Sequence, residues 1–173
     1  MSPGVRKLAL SAHVAASVGW LGAVAAFLAL AVVGMTSGNT QTIRATYIAM
    51  ELIGWFVIVP LSFAALVTGL VEALGTKWGL FHYWVLAKLL INVFANIVLL
   101  MYMPTLTYLA GEASDASLSG SDLGGVRDPS PVLHSSAALL LLLVALILGV
   151  YKPRGMTHYG WRKQHEYQDV LQS

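Results

Sequence analysis

The chain has no cysteine and very few charged residues. Among its 173 residues none is Cys, and only 10% are Asp, Glu, Lys or Arg. The missing thiol excludes disulfide bonds, thiolate catalysis, iron–sulfur clusters and cysteine zinc sites. A water-facing domain usually carries about a quarter charged residues, so the sequence is not that of a soluble globular protein. Soft or borderline metal ligands are limited to six Met and five His.

The sequence contains four long apolar runs. They lie at about 8–33, 45–74, 81–109 and 132–151, and about 20 helical residues cross the ~30 Å of a bilayer core. The first run is longer than the about 7–15 residues of a secretory signal, which favours a retained helix. The sequence therefore predicts an all-α, polytopic membrane protein. Its single four-helix transmembrane domain covers 1–151, and a basic, aromatic tail covers 152–173.

The distribution of basic residues predicts the orientation of the bundle. Basic residues concentrate at the N-terminus, in the second connection and in the tail, whereas the other two connections hold only Arg44 and Arg127. Connections rich in Lys and Arg stay in the cytoplasm. Both chain ends are therefore predicted to be cytoplasmic. The basic residues on that side are Arg6, Lys7, Lys77, Lys152, Arg154, Arg162 and Lys163.

Helical periodicity predicts which faces turn inward. On the first helix a stripe of small residues indicates a packing face, because small side chains let membrane helices approach closely; its members are Ala12, Ala15, Ala16, Gly19, Gly22, Ala23 and Ala26. The second helix has a polar or small face made of Tyr47, Glu51, Trp55, Ser62, Gly69 and Glu72. Lys88, Asn92 and Asn96 follow one another at i, i+4 and i+8 on the third.

His13 is the first candidate for a cofactor ligand. It lies one turn before Ser17 on the first helix, and His82 opens the third helix at a similar expected depth. Imidazole ligates haem iron, so these two histidines predict a bis-histidine haem b site with Lys88 near a propionate and Ser17 and Asn92 close by. A neutral histidine bonded to a neighbouring helix is the alternative interpretation of His13. His82 has an alternative interpretation as a residue of the interfacial aromatic belt.

A second set of polar residues is expected near the opposite membrane surface. His134, Glu51 and Tyr102 fall at comparable depths, and together they are candidate ligands for copper or another divalent ion. Charged groups within the hydrocarbon cost about 2.5–3.5 kcal/mol, so they usually turn inward and find partners. An interfacial carboxylate is the alternative for Glu51, and a lysine that reaches the headgroups is the alternative for Lys88.

Several short blocks resemble a known group of proteins. These are SAH at 11–13, SVGWLGA at 17–23, WGLFHYWV at 78–85, YKPRG at 151–155 and YGWRK at 159–163. The chain resembles small bacterial four-helix integral membrane proteins of unknown function, and the resemblance implies a multi-pass protein of the bacterial plasma membrane. It is distantly similar to four-helix b-type cytochromes and to copper-resistance D type proteins, in which helix 1 carries an inward histidine as His13 does here. Dihaem cytochromes need four membrane histidines and this chain offers three candidates at most, so the resemblance is compatible with one haem and not with two.

Three functions follow from these observations. The first is a haem- or metal-binding electron carrier between the quinone pool, or another membrane redox partner, and a second protein. The second is a proton-coupled channel or transporter, a homo-oligomer that uses a polar seam. The seam residues are Glu51, Asn96, Asn92, Lys88 and His13. The third is a non-catalytic accessory subunit whose tail docks on another protein. The predicted environment is the lipid bilayer, with no nucleic acid partner.

Overall fold

The described part of the chain folds into four long helices. The computed structural model describes residues 2–75, 82–115 and 127–153, together with 155, 157, 161 and 162. The helices are α1 (Pro3–Thr36), α2 (Thr40–Gly75), α3 (Tyr83–Ser114) and α4 (Ser130–Tyr151). Each is long and apolar enough to cross a membrane, which confirms the prediction of an all-helical bundle with four candidate spans.

Local signals define where the helices begin. The side chain of Ser2 caps α1 and is followed by Pro3, whose missing N–H costs nothing in a first turn. The Asn39 side-chain oxygen accepts a hydrogen bond from the N–H of Thr42 at 3.1 Å, which starts α2 directly after α1 ends. The result is a tight connection between the first two helices.

The helices pack as a ring in sequence order. Helix α1 contacts α2 and α4, and α3 contacts the same two helices. Helices α1 and α3 therefore lie on one diagonal of the bundle. The end where α1 begins and α4 ends is called here the His13 end, and the opposite end is called the Tyr102 end.

Helix α2 contains a π-helical segment, Gly54–Ile58, shortly before Pro60. The N–H of Val59 donates to the carbonyl of Gly54, one residue further back than in an α-helix. Pro60 has no N–H to donate, and its ring would clash with the carbonyl of residue 56 in a regular helix. The wider turn accommodates the proline and keeps α2 continuous.

The core contains large side chains at the centre and small ones where helices touch closely. Trp20, Tyr47, Met50 and Met103 are at most 2% exposed. Gly54 faces Met103, and a β-carbon there would come within 2.9 Å of the methionine methyl. Large apolar side chains such as Leu140 remain 65% exposed, as expected for a surface that faces lipid.

Two predicted faces are wrong in part. On α1 several members of the small-residue stripe are exposed, and the buried positions include Trp20, Val24 and Phe27. These three bulky side chains face the space between the helices. Trp55 was predicted to face inward but is 43% exposed, since it follows Gly54 directly and lies on the outer side of α2.

Candidate functional site

His13 is held by a fixed pair of hydrogen bonds from α1 to α2. Its Nδ1 lies 3.1 Å from the carbonyl oxygen of Ala65 and 3.1 Å from Oγ1 of Thr68. A carbonyl only accepts, so Nδ1 carries the proton in this contact. The Thr68 hydroxyl donates to the carbonyl of Ala64 at 2.6 Å, which leaves its oxygen free to accept from His13. In the neutral imidazole the lone pair is therefore on Nε2.

Gly69 makes room for this imidazole. A β-carbon at position 69 would lie 3.0 Å from Cε1 of His13, closer than side chains normally approach. Any larger residue would push the ring away from Ala65 and Thr68. The short link between the two helices and the orientation of the ring depend on this glycine.

Two charged side chains influence His13 at the same end of the bundle. Glu72 on α2 and Lys88 on α3 act electrostatically on His13, and Lys152 after α4 acts on Lys88. The half-buried Lys88 extends over Gly149, where a β-carbon would come within 3.0 Å of Nζ. We call His13, Thr68, Glu72 and Lys88 the His13 cluster. Glu72 and Lys88 thus lie in the same half of the bundle as His13.

A buried polar link joins α2 to α3 further along the bundle. The Ser62 hydroxyl donates to Oδ1 of Asn96 at 2.9 Å, and Nδ2 of Asn96 donates at 2.9 Å to both the backbone carbonyl and the side-chain oxygen of Asn92. Ser62 is 0% and Asn96 4% exposed. The inward position predicted for Asn92 and Asn96 is confirmed, and the contacts show helix-to-helix bonding.

Tyr102 and His134 lie together at the Tyr102 end. Their rings stack with centroids 4.1 Å apart. The Tyr102 hydroxyl is 3.2 Å from Oγ of Ser130, and Nδ1 of His134 is 2.9 Å from the carbonyl of Ser130. Since that carbonyl can only accept, Nδ1 of His134 carries a proton and the neutral ring has its lone pair on Nε2. These three residues form the Tyr102 cluster.

An apolar cavity of about 230 Å³ lies between α1, α2, α3 and α4. Trp20, Gly54, Ala95 and Ala138 line it, and His134 is the one histidine in its wall. Sequence reasoning missed this cavity. In the sequence the cavity corresponds to small residues on three helices, Gly54, Ala95 and Ala138, opposite Trp20 on α1. Helical periodicity alone does not show that these residues face one another.

The other predicted ligands are more dispersed. Ser17 is half-buried one turn from His13. His82 is the residue directly before the first turn of α3, and its ring centroid lies 6.4 Å from that of Trp84. Glu51 is half-buried on α2, and within the described ranges no hydrogen bond joins it to Tyr102 or His134. In the same part of the chain no group of three or more His, Cys, Asp and Glu side chains is arranged to hold a metal ion.

Most of the predicted tail falls outside the described residues, so its docking role stays a prediction. A comparison with known proteins finds no matching family model, no matching curated protein and no matching solved structure.

Proposed function

We propose that the protein binds haem b at the His13 end and carries electrons between the quinone pool and a membrane partner. The supporting observation is the orientation of His13. Its Nδ1–H donates to the Ala65 carbonyl at 3.1 Å, which leaves Nε2 available as a ligand. A second hydrogen bond of this kind fixes the tautomer and the ring plane of histidines that bind metals.

The surrounding residues fit this cofactor. The iron of haem b binds imidazole as a ligand. The two propionate groups on the haem ring carry negative charge. Nε2 of His13 would ligate the iron, and Lys88, which acts electrostatically on His13, would pair with a propionate. His82 is the proposed second ligand. Bound haem would supply one-electron chemistry, and the chain's own residues would orient it and balance its charge.

The proposal includes the bacterial plasma membrane as the location, with the His13 end in the cytoplasm. Four candidate spans and the excess of Lys and Arg at that end support it. A cytoplasmic His13 end would put the cofactor near soluble or peripheral electron donors.

Absorption spectroscopy tests the haem proposal directly. The protein is purified from membranes, supplied with haemin and examined for a Soret band and for haem content per chain. We expect about one haem per chain in the wild type and loss of most of it in His13→Ala. His134→Ala is the matched control, because it removes an imidazole at the other end of the bundle and should leave the spectrum unchanged.

Two further variants assign the remaining roles. Lys88→Met should weaken haem binding and leave the ligand-field bands in place, since it changes charge and not iron ligation. His82→Ala should change those bands if His82 is the second ligand. A wild-type protein without a Soret band after haem supply would refute the proposal.

A proton-coupled transporter is the second candidate. It is supported by the electrostatic coupling of three titratable groups, His13, Glu72 and Lys88, within one half of the bundle, since such groups often mark ion routes. Proton flux in liposomes tests it. Lys88→Met and Glu51→Gln should abolish the flux, and Lys7→Met serves as a control outside the seam. Flux at the wild-type rate in all three variants would rule out this function.

A further inference from the structure

The central cavity has the features of a ligand site of its own. We propose that it binds the ring of a membrane-soluble quinone or quinol, entering from the lipid between α3 and α4. None of its lining residues belongs to the His13 cluster. The proposal therefore concerns a second site and does not depend on haem at His13.

The size of the cavity fits one substituted ring. Its volume is about 230 Å³, whereas an apolar cavity of ~150 Å³ inside a protein is enough for benzene. The extra space accommodates ring substituents or the first part of a tail. A bulkier polycyclic ligand would need the helices to separate.

The cavity opens toward lipid. Phe94 of α3 lines it and is 56% exposed, and Ala137 of α4 also lines it and is exposed. Both residues lie on the outer surface of the bundle, which faces acyl chains. A ligand that enters here comes from the membrane, so it must be apolar over most of its surface.

Two polar groups in the wall select for ring oxygens. Trp20 is 2% exposed, lines the cavity and has no hydrogen-bond partner within the described residues. Its indole N–H is therefore available as a donor to an oxygen of a bound ligand. His134 also lines the cavity, and its Nε2 accepts because Nδ1 donates to Ser130. A quinone carbonyl would accept from Trp20, and a quinol hydroxyl would donate to His134.

The stacked pair at the Tyr102 end completes the site. The ring of Tyr102 holds His134 at a centroid distance of 4.1 Å, and Tyr102 itself lines the cavity. A flat, π-rich ligand gains from contact with aromatic walls. An acyl chain would fill the same space but would leave the Trp20 N–H unpaired.

Equilibrium binding in nanodiscs tests the proposal. The probe is a tritiated benzoquinone with a decyl tail, and empty nanodiscs give the background of partition into lipid. We expect saturable binding of about one quinone per chain. Trp20→Phe keeps an aromatic ring and removes only the N–H, and it should weaken binding about five- to tenfold, the loss of one hydrogen bond.

Trp55→Phe is the matched control, because its indole N–H donates to Thr107 away from the cavity at 3.1 Å. It should bind as the wild type does. Ala138→Phe fills the cavity and should abolish saturable binding, and the mild Trp20→Phe variant keeps the test valid if Ala138→Phe does not fold. His13→Ala should retain quinone binding even if it loses haem, which separates the two proposals.

Competition with unlabelled decanol identifies the occupant. Decanol should compete far more weakly than the unlabelled quinone. Equal competition by the ring-less alcohol would assign the cavity to ordinary lipid tails and overturn the proposal. The same conclusion follows if Trp20→Phe and Trp55→Phe bind the quinone equally well.

Discussion

His13 on α1 rests against Gly69 on α2, at a position where any β-carbon would lie 3.0 Å from the imidazole Cε1. The ring also donates to Ala65 on the same helix at 3.1 Å. One glycine and one carbonyl thus determine where the histidine lies. The first prediction tests this relationship.

Gly69→Ala should displace the imidazole and destabilise the protein by roughly 1–3 kcal/mol, the usual range for forcing a methyl group into a packed contact. Unfolding in mixed micelles measures the loss. Gly22→Ala is the control, because nothing lies within 4 Å of a β-carbon there. It should be neutral or slightly stabilising. Equal effects at both glycines would contradict the proposed contact.

Asn96→Leu should weaken the hydrogen-bonded contact between α2 and α3. The variant removes the acceptor of the Ser62 hydroxyl and both donors to Asn92. Single hydrogen bonds between membrane helices contribute about 0.6–2 kcal/mol, so we expect a loss of roughly that size in the free energy of unfolding. Ile97→Leu, at a 52% exposed position facing lipid, should change little. No loss in Asn96→Leu would show that apolar packing alone holds the two helices.

Gly54→Val should overpack the contact with α3. A β-carbon at position 54 would meet the Met103 methyl at 2.9 Å and Leu106 at 3.2 Å. We expect a loss of about 1–3 kcal/mol. Adding Met103→Ala should recover part of it, because the shorter side chain leaves space for the new methyl groups. A double-mutant cycle gives the coupling. Gly111→Val, in open space on α3, is the control for β-branching.

Deletion of Val57 should be tolerated better than deletion elsewhere in α2. The π-helical segment Gly54–Ile58 contains one residue more than an α-helix needs between its flanks. Removing Val57, which is 39% exposed, in a Pro60→Ala background should give a regular turn and preserve both flanks, because alanine lacks the ring that requires the wider turn. Deletion of Val67 rotates the rest of the helix by about 100° and should misplace Gly69. Monodisperse protein in detergent and its melting temperature are the measurements. Equal loss in both deletions would contradict this role of the segment.

Hydropathy and polarity predicted the main features of the bundle. The four spans follow from apolar length, and the inward stripe of Asn92 and Asn96 follows from the cost of unpaired polarity in hydrocarbon. Trp55 was placed wrongly because, eight residues after Tyr47 at 100° per residue, it lies about 80° away from that residue around the helix. The π-helical segment then changes the phase of the residues that follow it. A proline signals such a change but does not say which face moves.

The cavity could not be predicted because it depends on packing between helices. Its wall combines Trp20, Gly54 and Ala138 from three helices. Helix order and axial rotation determine whether such residues meet, and hydropathy contains neither. The link from His13 to Thr68 has the same origin, since the two residues are brought together only when α1 packs on α2.

The sideways opening beside Phe94 has a consequence for affinity. A hydrophobic molecule is far more concentrated among the acyl chains of the bilayer than in water. A pocket that opens there equilibrates with this enriched pool, so even a millimolar intrinsic dissociation constant, about −4 kcal/mol, can give substantial occupancy. Affinities measured in detergent would then vary with the amount of micelle present, and mole fraction in the membrane becomes the proper concentration scale.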